Sequence, residues 1–484
     1  MGNYLSVNDT DRKLMLEKIG TSDLMELYHD VPADLILKEP LSLQEGKAEM
    51  QVRKFMRQLS AENKVYPVIF RGAGAYRHYI PAIVDQVASK ETFLTAYTPY
   101  QPEISQGILQ SIFEYQTMIC ELTGMDVSNA TVYDGATAAA EAAAMCRDRR
   151  RNTVLVSEAV NPETVEVVKT YCWAAGTKVV MVPASKGVTD TGALRDLVNA
   201  ETAAVLIQNP NYCGCLEPAE EIAEVTHSAK AKLVMSVDPI AAAILKTPRE
   251  YGADIAVGEG QPLGMPLSYG GPYLGFMAAT KEMMRKLPGR IVGETTDDRG
   301  NKAYVLTLQA REQHIRREKA SSNICSNEAL CALRAAVYMA AMGRKGMREA
   351  ASQCVSKAHY LQKKLEEAGF TRKYEGEFFH EFVTESPYPA AQVNAVLDKH
   401  DILGGLELPD GSILWCATEC NTKEEIDRMV SILKEELACS SCLKSLFREQ
   451  ADAIFRPVIQ KNIHSVHLIC VKRKQSFPRS AKMT

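Results

Sequence analysis

No stretch of this sequence approaches the roughly 18 uninterrupted apolar residues that a membrane-spanning helix needs. Its opening, MGNYLSVNDTDRKLML, lacks the basic-then-apolar order of a secretory signal. A cytoplasmic protein with no membrane partner is the expectation. Net charge is scarce as well. The 56 Lys and Arg against 60 Asp and Glu leave −4, too little positive charge for a nucleic-acid binder that works by neutralising phosphates. Cysteine is not scarce, but without a secretion signal the 13 thiols read as reduced. The pairs Cys213/Cys215 and Cys439/Cys442 each supply only half of a metal site, so no metal is expected.

What is present is ordinary globular material, 46% apolar and 24% charged over 484 residues, enough for two to four domains. Val52, Phe55, Met56 and Leu59 fall at i, i+3, i+4 and i+7. That spacing predicts an amphipathic helix over about 46–60, inside a helical N-terminal arm of residues 1–90. From about residue 130, short apolar runs alternate with helical stretches: TVLVS (153–157), KVVMVP (178–183), AAVLIQ (203–208), KLVMSVD (232–238) and DIAVG (254–258). Continuous apolar strands separated by helices predict an α/β class with a mostly parallel sheet and helices on both faces, over residues 91–328. Such sheets bind ligands in loops beyond the carboxyl ends of their strands. After a helical ALCALRAAVYMAAMG (329–343) the pattern becomes helix, strand, helix, strand, helix, with EFFHEFVTE (377–385) and SILWCATE (412–419) as the strands of a smaller C-terminal α/β domain, residues 329–437. Residues 438–484 differ sharply, with nine Lys and Arg against two Asp and Glu; this +7 leaves −11 on residues 1–437. They read as a basic, disordered extension.

The strand runs put Asp238 at the end of VMSVDP and Gln261, 23 residues later, in GADIAVGEGQPLG (252–264). Alone, Asp238 fits an ordinary strand-end turn as well as a ligand-binding carboxylate. The spacing resembles the pyridoxal-phosphate enzymes of fold type I, in which an aspartate so placed pairs with the pyridinium nitrogen and a lysine about this far downstream forms the Schiff base. Here the segment has no lysine. A glutamine amide cannot replace it, because its nitrogen lone pair is delocalised and does not attack an aldehyde. Longer strings narrow the resemblance. TAYTPYQPEISQGILQSIFEYQTMICELTGMDVSNATVYDGATAAAEA (95–142), QNPNYCGCLEP (208–218), VGEGQPLGMPLSYGGPYLGF (257–276) and LQAREQHIRREKASSNICSNEALCAL (308–333) together resemble glycine decarboxylase, the P-protein of the glycine cleavage system. The resemblance covers about residues 1–437, and is greatest to the first of the two subunits into which many prokaryotes divide that enzyme.

The resemblance implies decarboxylation of glycine on pyridoxal phosphate and transfer of the aminomethyl group to the lipoyl arm of the H-protein. It also implies a division of labour. In the cofactor-bearing subunit a lysine stands at or beside the position of Gln261, and a ring-stacking histidine at that of Glu158. This chain is therefore expected to bind no cofactor itself and to work in an α2β2 assembly with a lysine-bearing second subunit that holds the pyridoxal phosphate. Two alternatives stand beside this: a self-sufficient enzyme using a displaced lysine, with Lys246 and Lys319 to consider, and a catalytically inactive scaffold or regulator.

The stretch YTPYQPEISQG supplies the candidate shared-site residues Tyr97, Tyr100, Gln101 and Glu103, polar groups on a loop stiffened by Pro99 and Pro102. In the family the equivalent loop approaches the active site at the subunit interface. A plain turn feeding the helix near Gln106 is the alternative. YDGATAAAEA resembles a phosphate cradle at a helix N-terminus, although Asp134 reads better as a helix cap. The charged run from Arg311 to Lys319 is either a solvated helix face or loop, or a segment that lines the shared site or docks a partner. SYGGPYLG (268–275) is either a close-approach loop or a tight turn.

Overall fold

The computed structural model describes residues 7–39, 41–94, 99–309, 313–320, 322–324 and 327–437. The chain divides into two compact units between Val65 and Tyr66.

The first unit is helical. Helix α1 (Asp9–Ile19) begins at Asn8, whose side chain accepts from the N–H groups of Thr10 and Asp11. A 3-10 turn follows at Leu24–Tyr28, and then helix α2 (Glu49–Ser60). The expected amphipathic helix is therefore present. None of the three elements buries a residue, and the apolar stripe of α2 (Val52, Phe55, Met56, Leu59) is 44–54% exposed.

In the second unit, helix α3 (Pro102–Thr123) leads into a seven-stranded sheet. Its strands are β1 (Val127–Ser128), β2 (Thr153–Ser157), β3 (Lys178–Val182), β4 (Thr202–Asn209), β5 (Lys232–Val237), β6 (Ile255–Glu259) and β7 (Gly275–Ala279). The spatial order is β1-β7-β6-β5-β4-β2-β3. The run from β6 to β3 is parallel, and β7 is antiparallel to both β6 and β1. All five strands expected from apolar runs are there. Their alternate residues serve opposite faces. Leu155, Val205, Ile207, Leu233 and Met235 enter one core, with Tyr115 and Ile119 of α3. Val154, Val156, Ala204, Leu206 and Val234 enter the other, with helix α4 (Gly135–Cys146) and helix α5 (Pro162–Ala174), while helix α6 (Ala219–Ser228) adds Ile222 and Ala223 to the first. Each aliphatic side chain buried this fully contributes roughly 1.5–3 kcal/mol, which is why the runs are apolar throughout rather than alternating.

A second, antiparallel sheet is built from β8 (Thr371–Arg372), β9 (Glu381–Glu385), β10 (Leu406–Glu407) and β11 (Ile413–Cys416), in the order β8-β9-β11-β10. Phe382 and the fully buried Trp415 pack there against Leu361 and Leu365 of the long helix α7 (Ala329–Glu366). The Trp415 indole N–H donates to Thr384 Oγ1 at 2.9 Å.

Some elements differ from the sequence expectation. Helix α7 does not end at Gly343. That residue breaks the helical path with φ +59° and the helix resumes to Glu366, so the helical stretch to 343 and the helix expected after it are one element with an internal break. Strand β7 and the hairpin Ile291–Thr296/Lys302–Thr307 were not anticipated. In the stretch read as a turn or a close-approach loop, residues Ser268 to Gly271 have positive φ, and they lead into β7.

Candidate functional site

Residues beyond the carboxyl ends of β4, β5 and β6, the start of α4, residues 72–76 and the start of β9 enclose a cavity of about 580 Å³. Its place follows from the sheet, because loops diverge where parallel strands end. The β9 side is held close by Gly214, whose φ is +83° and whose Cβ, if present, would stand 2.0 Å from the Glu381 carbonyl oxygen. Next to it, the Leu216 N–H donates to the Glu377 carbonyl at 2.9 Å.

Asp238 stands just after β5 and lines the cavity. Its Oδ1 accepts from the N–H groups of Ile240 (2.8 Å) and Ala241 (2.7 Å), as a turn residue would, while Oδ2 is buried with no partner. Both sequence readings of this residue therefore have an oxygen to support them. Opposite, β9 contributes His380 and Glu381, both buried. Glu381 accepts from the Ala73 N–H at 2.6 Å and the Tyr76 hydroxyl at 2.7 Å. Burial pushes its carboxyl up to about 7 and drives the Tyr76 phenol well above its ordinary value. Burial lowers the His380 imidazole to about 4. Behind His380 the His78 Nδ1 meets Glu419 at 2.7 Å, and the Cys354 thiol donates to the same carboxylate at 3.3 Å.

At the expected lysine position, Gln261 is 1% exposed and fully bonded. Its Oε1 accepts from the Tyr76 N–H (2.9 Å), and its Nε2 donates to the carbonyls of Tyr76 (2.9 Å) and Met265 (2.7 Å). It is a strut between two loops. Two residues earlier, Glu259 reaches across to the N-terminus of α4. Its Oε2 accepts from the Gly135 N–H at 2.9 Å, and its Oε1 from the N–H groups of Gln261 (2.9 Å) and Leu274 (3.0 Å). Burial lifts this carboxyl to about 7, with Asp134 adding to the rise. Asp134 itself caps α4, accepting from the Thr137 N–H at 2.7 Å. The helix end that would cradle a phosphate is thus taken by two carboxylates of the chain. Among the described residues no lysine or arginine lines the cavity. The residues present do not fit pyridoxal phosphate: an amine is missing, and an acid stands where the phosphate would go.

The other candidates lie elsewhere. Tyr97 is outside the described residues. The Tyr100 hydroxyl accepts from Arg290 at 3.0 Å and its ring lies 5.1 Å from the guanidinium. Gln101 and Glu103 are exposed at the start of α3. None of these three lines the cavity, and neither does Glu158, which is exposed and accepts weakly from the Ala184 N–H at 3.4 Å. Lys246 is exposed and paired with Glu220, and Lys319 is exposed. Of the charged run, Arg316, Arg317 and Glu318 are exposed, while Arg311 and Glu312 lie outside the described residues. So do Cys439, Cys442 and the basic extension; Cys213 and Cys215 are free thiols. Sequence reasoning missed Tyr76, His380 and Glu381, and gave Glu259 no role. A histidine and a glutamate side by side in the apolar EFFHEFVTE were the available signal.

Three comparisons bear on this arrangement. The family model for the glycine cleavage system P-protein matches residues 2–433. The probable glycine dehydrogenase (decarboxylating) subunit 1 of Desulfitobacterium hafniense is 48% identical over 443 residues, covering 90% of this chain and 99% of that one. A crystal structure of glycine decarboxylase (P-protein) of the glycine cleavage system, in inhibitor-bound form, superposes with a TM-score of 0.85 at 41% identity, over 90% of this chain and all of that one. A NifS-like protein, 16% identical with a TM-score of 0.59 over 77% of this chain and 99% of its own, shares the fold alone.

Proposed function

The chain belongs to the P-protein family of the glycine cleavage system, and from that membership we propose a division of labour for it. Its function is glycine cleavage, as a subunit of glycine dehydrogenase (decarboxylating) with the fold of type I pyridoxal-phosphate enzymes. In the proposed arrangement it is the subunit without cofactor. A second, lysine-bearing subunit holds pyridoxal phosphate and decarboxylates glycine, and the assembly, an α2β2 tetramer in the cytoplasm, hands the aminomethyl group to the lipoyl arm of the H-protein. One observation carries this reading: Gln261 fills the lysine position as a buried, fully bonded strut, beside a Glu259 carboxylate bonded to the N-terminus of α4. A displaced lysine finds no support, since Lys246 is engaged by Glu220 and neither it nor Lys319 lines the cavity.

Tyr97, Tyr100, Gln101 and Glu103 are proposed to form a wall of the partner's active site. That the described members Tyr100, Gln101 and Glu103 do not line this chain's own cavity, and that Tyr100 is 48% exposed, agree with a role in trans. In the described residues no helix is long and apolar enough to cross a membrane.

The test uses absorbance and exchange. The purified chain, incubated with pyridoxal phosphate, is expected to show no borohydride-reducible aldimine band, and glycine–bicarbonate exchange is expected only after the lysine-bearing subunit is added. A reducible band in the single chain would overturn the reading. In the assembly, Tyr97→Phe or Tyr100→Phe in this chain is expected to lower exchange roughly a hundredfold with little change in melting temperature, as for a lost catalytic hydrogen bond. Full activity in both variants would remove the loop from the site.

A further inference from the structure

The cavity has a chemistry of its own. Carboxylates of Asp134, Glu163, Asp238, Glu259, Glu328 and Glu381 line it, and among the described residues no lysine or arginine does. Acidic lining by itself says little, since carboxylates are commonly hydrated. Two further facts mark a seat. His380 is 3% exposed, lines the cavity, and has no hydrogen-bond partner at either ring nitrogen; Glu381 Oε2, at 4.0 Å, is too far. Asp238 Oδ2 is likewise buried and unpartnered, although Oδ1 has two donors. Buried polar atoms left unpaired in one cavity are costly unless a ligand or water meets them.

A phosphate does not meet that need, because Glu259 already takes the Gly135 N–H and would repel it. An amino-acid zwitterion fits poorly too, for want of an arginine or lysine to hold its carboxylate. A cation with N–H donors fits both orphans. It would donate to Asp238 Oδ2 and to the lone pair of a His380 ring that burial keeps neutral. Tyr133, Tyr273 and Phe379 supply aromatic surface for an apolar remainder and favour positive charge near their rings. The volume, about 580 Å³, lies within the range of small-ligand pockets.

We propose that this cavity binds a primary ammonium ion carried on a short carbon chain, its N–H groups donated to Asp238 and His380, with Glu259 already occupying the Gly135 N–H that a phosphorylated ligand would need. This rests on the reading that the chain holds no pyridoxal phosphate, and the experiment keeps the two apart. The full chain is titrated calorimetrically near neutral pH with n-butylammonium, tetramethylammonium, inorganic phosphate and pyridoxal phosphate. Butylammonium is expected to bind, and tetramethylammonium, which has charge but no N–H, to bind at least about tenfold more weakly. Asp238→Asn keeps an Oδ1 for the turn bonds and is expected to weaken butylammonium by about tenfold or more, with its melting curve reporting that it folds. In the unmodified chain, the His380 ring protons, assigned by their loss in His380→Gln, are expected to shift on titration, a readout independent of how Asp238→Asn behaves. Equal binding of the two ammonium ions, or unmoved His380 signals, overturns the proposal. Absence of both butylammonium and pyridoxal phosphate binding overturns it while leaving the cofactor-free reading intact. A reducible pyridoxal-phosphate aldimine overturns that reading, and this proposal with it.

Discussion

Glu381 makes the cavity sensitive to pH. Its carboxyl titrates near 7 in the folded chain because it is buried, with Asp238 close by adding to the rise, against roughly 4.3 in the unfolded chain. The fold therefore holds this proton more tightly than the unfolded state does. The corresponding stability is fully present below about pH 4.3 and is lost as the pH climbs through about 7. Glu381→Gln is expected to remove that loss. The amide oxygen can still accept from Ala73, and its NH2 can donate to the Tyr76 hydroxyl. Denaturant melts should show the variant more stable than the parent at pH 8, by about 3 kcal/mol, with the gap shrinking as the pH falls and closing below about pH 4. An unchanged pH profile would mean the carboxylate is solvated in the fold. Gln261 makes the opposite case. Replacing it with lysine trades three buried hydrogen bonds for a buried amine and leaves the Tyr76 N–H and carbonyl oxygen unpaired. A loss of roughly 2–5 kcal/mol is expected in the same melts, with no aldimine formed on adding pyridoxal phosphate.

The strands of the main sheet were legible because parallel strands covered on both faces are apolar at every position, and helix α2 because its stripe repeats at helical spacing. Strand β7 was not legible, since its short apolar run follows a glycine-rich turn that dominates the local signal. Helix was expected on both sides of Gly343, and the fold joins the two stretches into α7 with that glycine as an internal break. Of the site, Asp238 and Gln261 could be found by spacing along one chain segment. His380 and Glu381 could not, because 142 residues separate Asp238 from His380 and only the folded β9 brings them together. Gly214 is where that meeting is enforced. Gly214→Ala puts a methyl group 2.0 Å from a backbone oxygen at a φ of +83°, and that oxygen belongs to Glu381 of β9, which is fixed by its pairing with β11. A loss of more than about 3 kcal/mol, or failure to fold, is expected by thermal melting. Wild-type stability would mean that the β4 loop and β9 are not held in contact in solution.

Taken whole, the described molecule has two kinds of surface. The second unit closes its own cores, while α1, α2 and the turn between them bury nothing and leave Leu14, Phe55, Met56 and Leu59 more than 40% exposed. An apolar stripe of this kind marks an interaction surface, and obligate interfaces bury roughly 2,000 Å² or more. Phe55→Asp with Leu59→Asp is therefore expected to make the isolated chain more soluble and to weaken its association with a second subunit, measured by sedimentation; unchanged association would place the interface elsewhere. The carboxylate seated at the start of α4 has a consequence on a longer timescale. Glutamine and lysine codons differ by a single base, so a lysine at position 261 arises readily in any population. While Glu259 holds the Gly135 N–H, such a mutant gains a buried charge and no cofactor, and selection has nothing to keep. A cofactor seat in this cavity would need at least two changes that are each harmful or idle alone, so no single substitution leads to it.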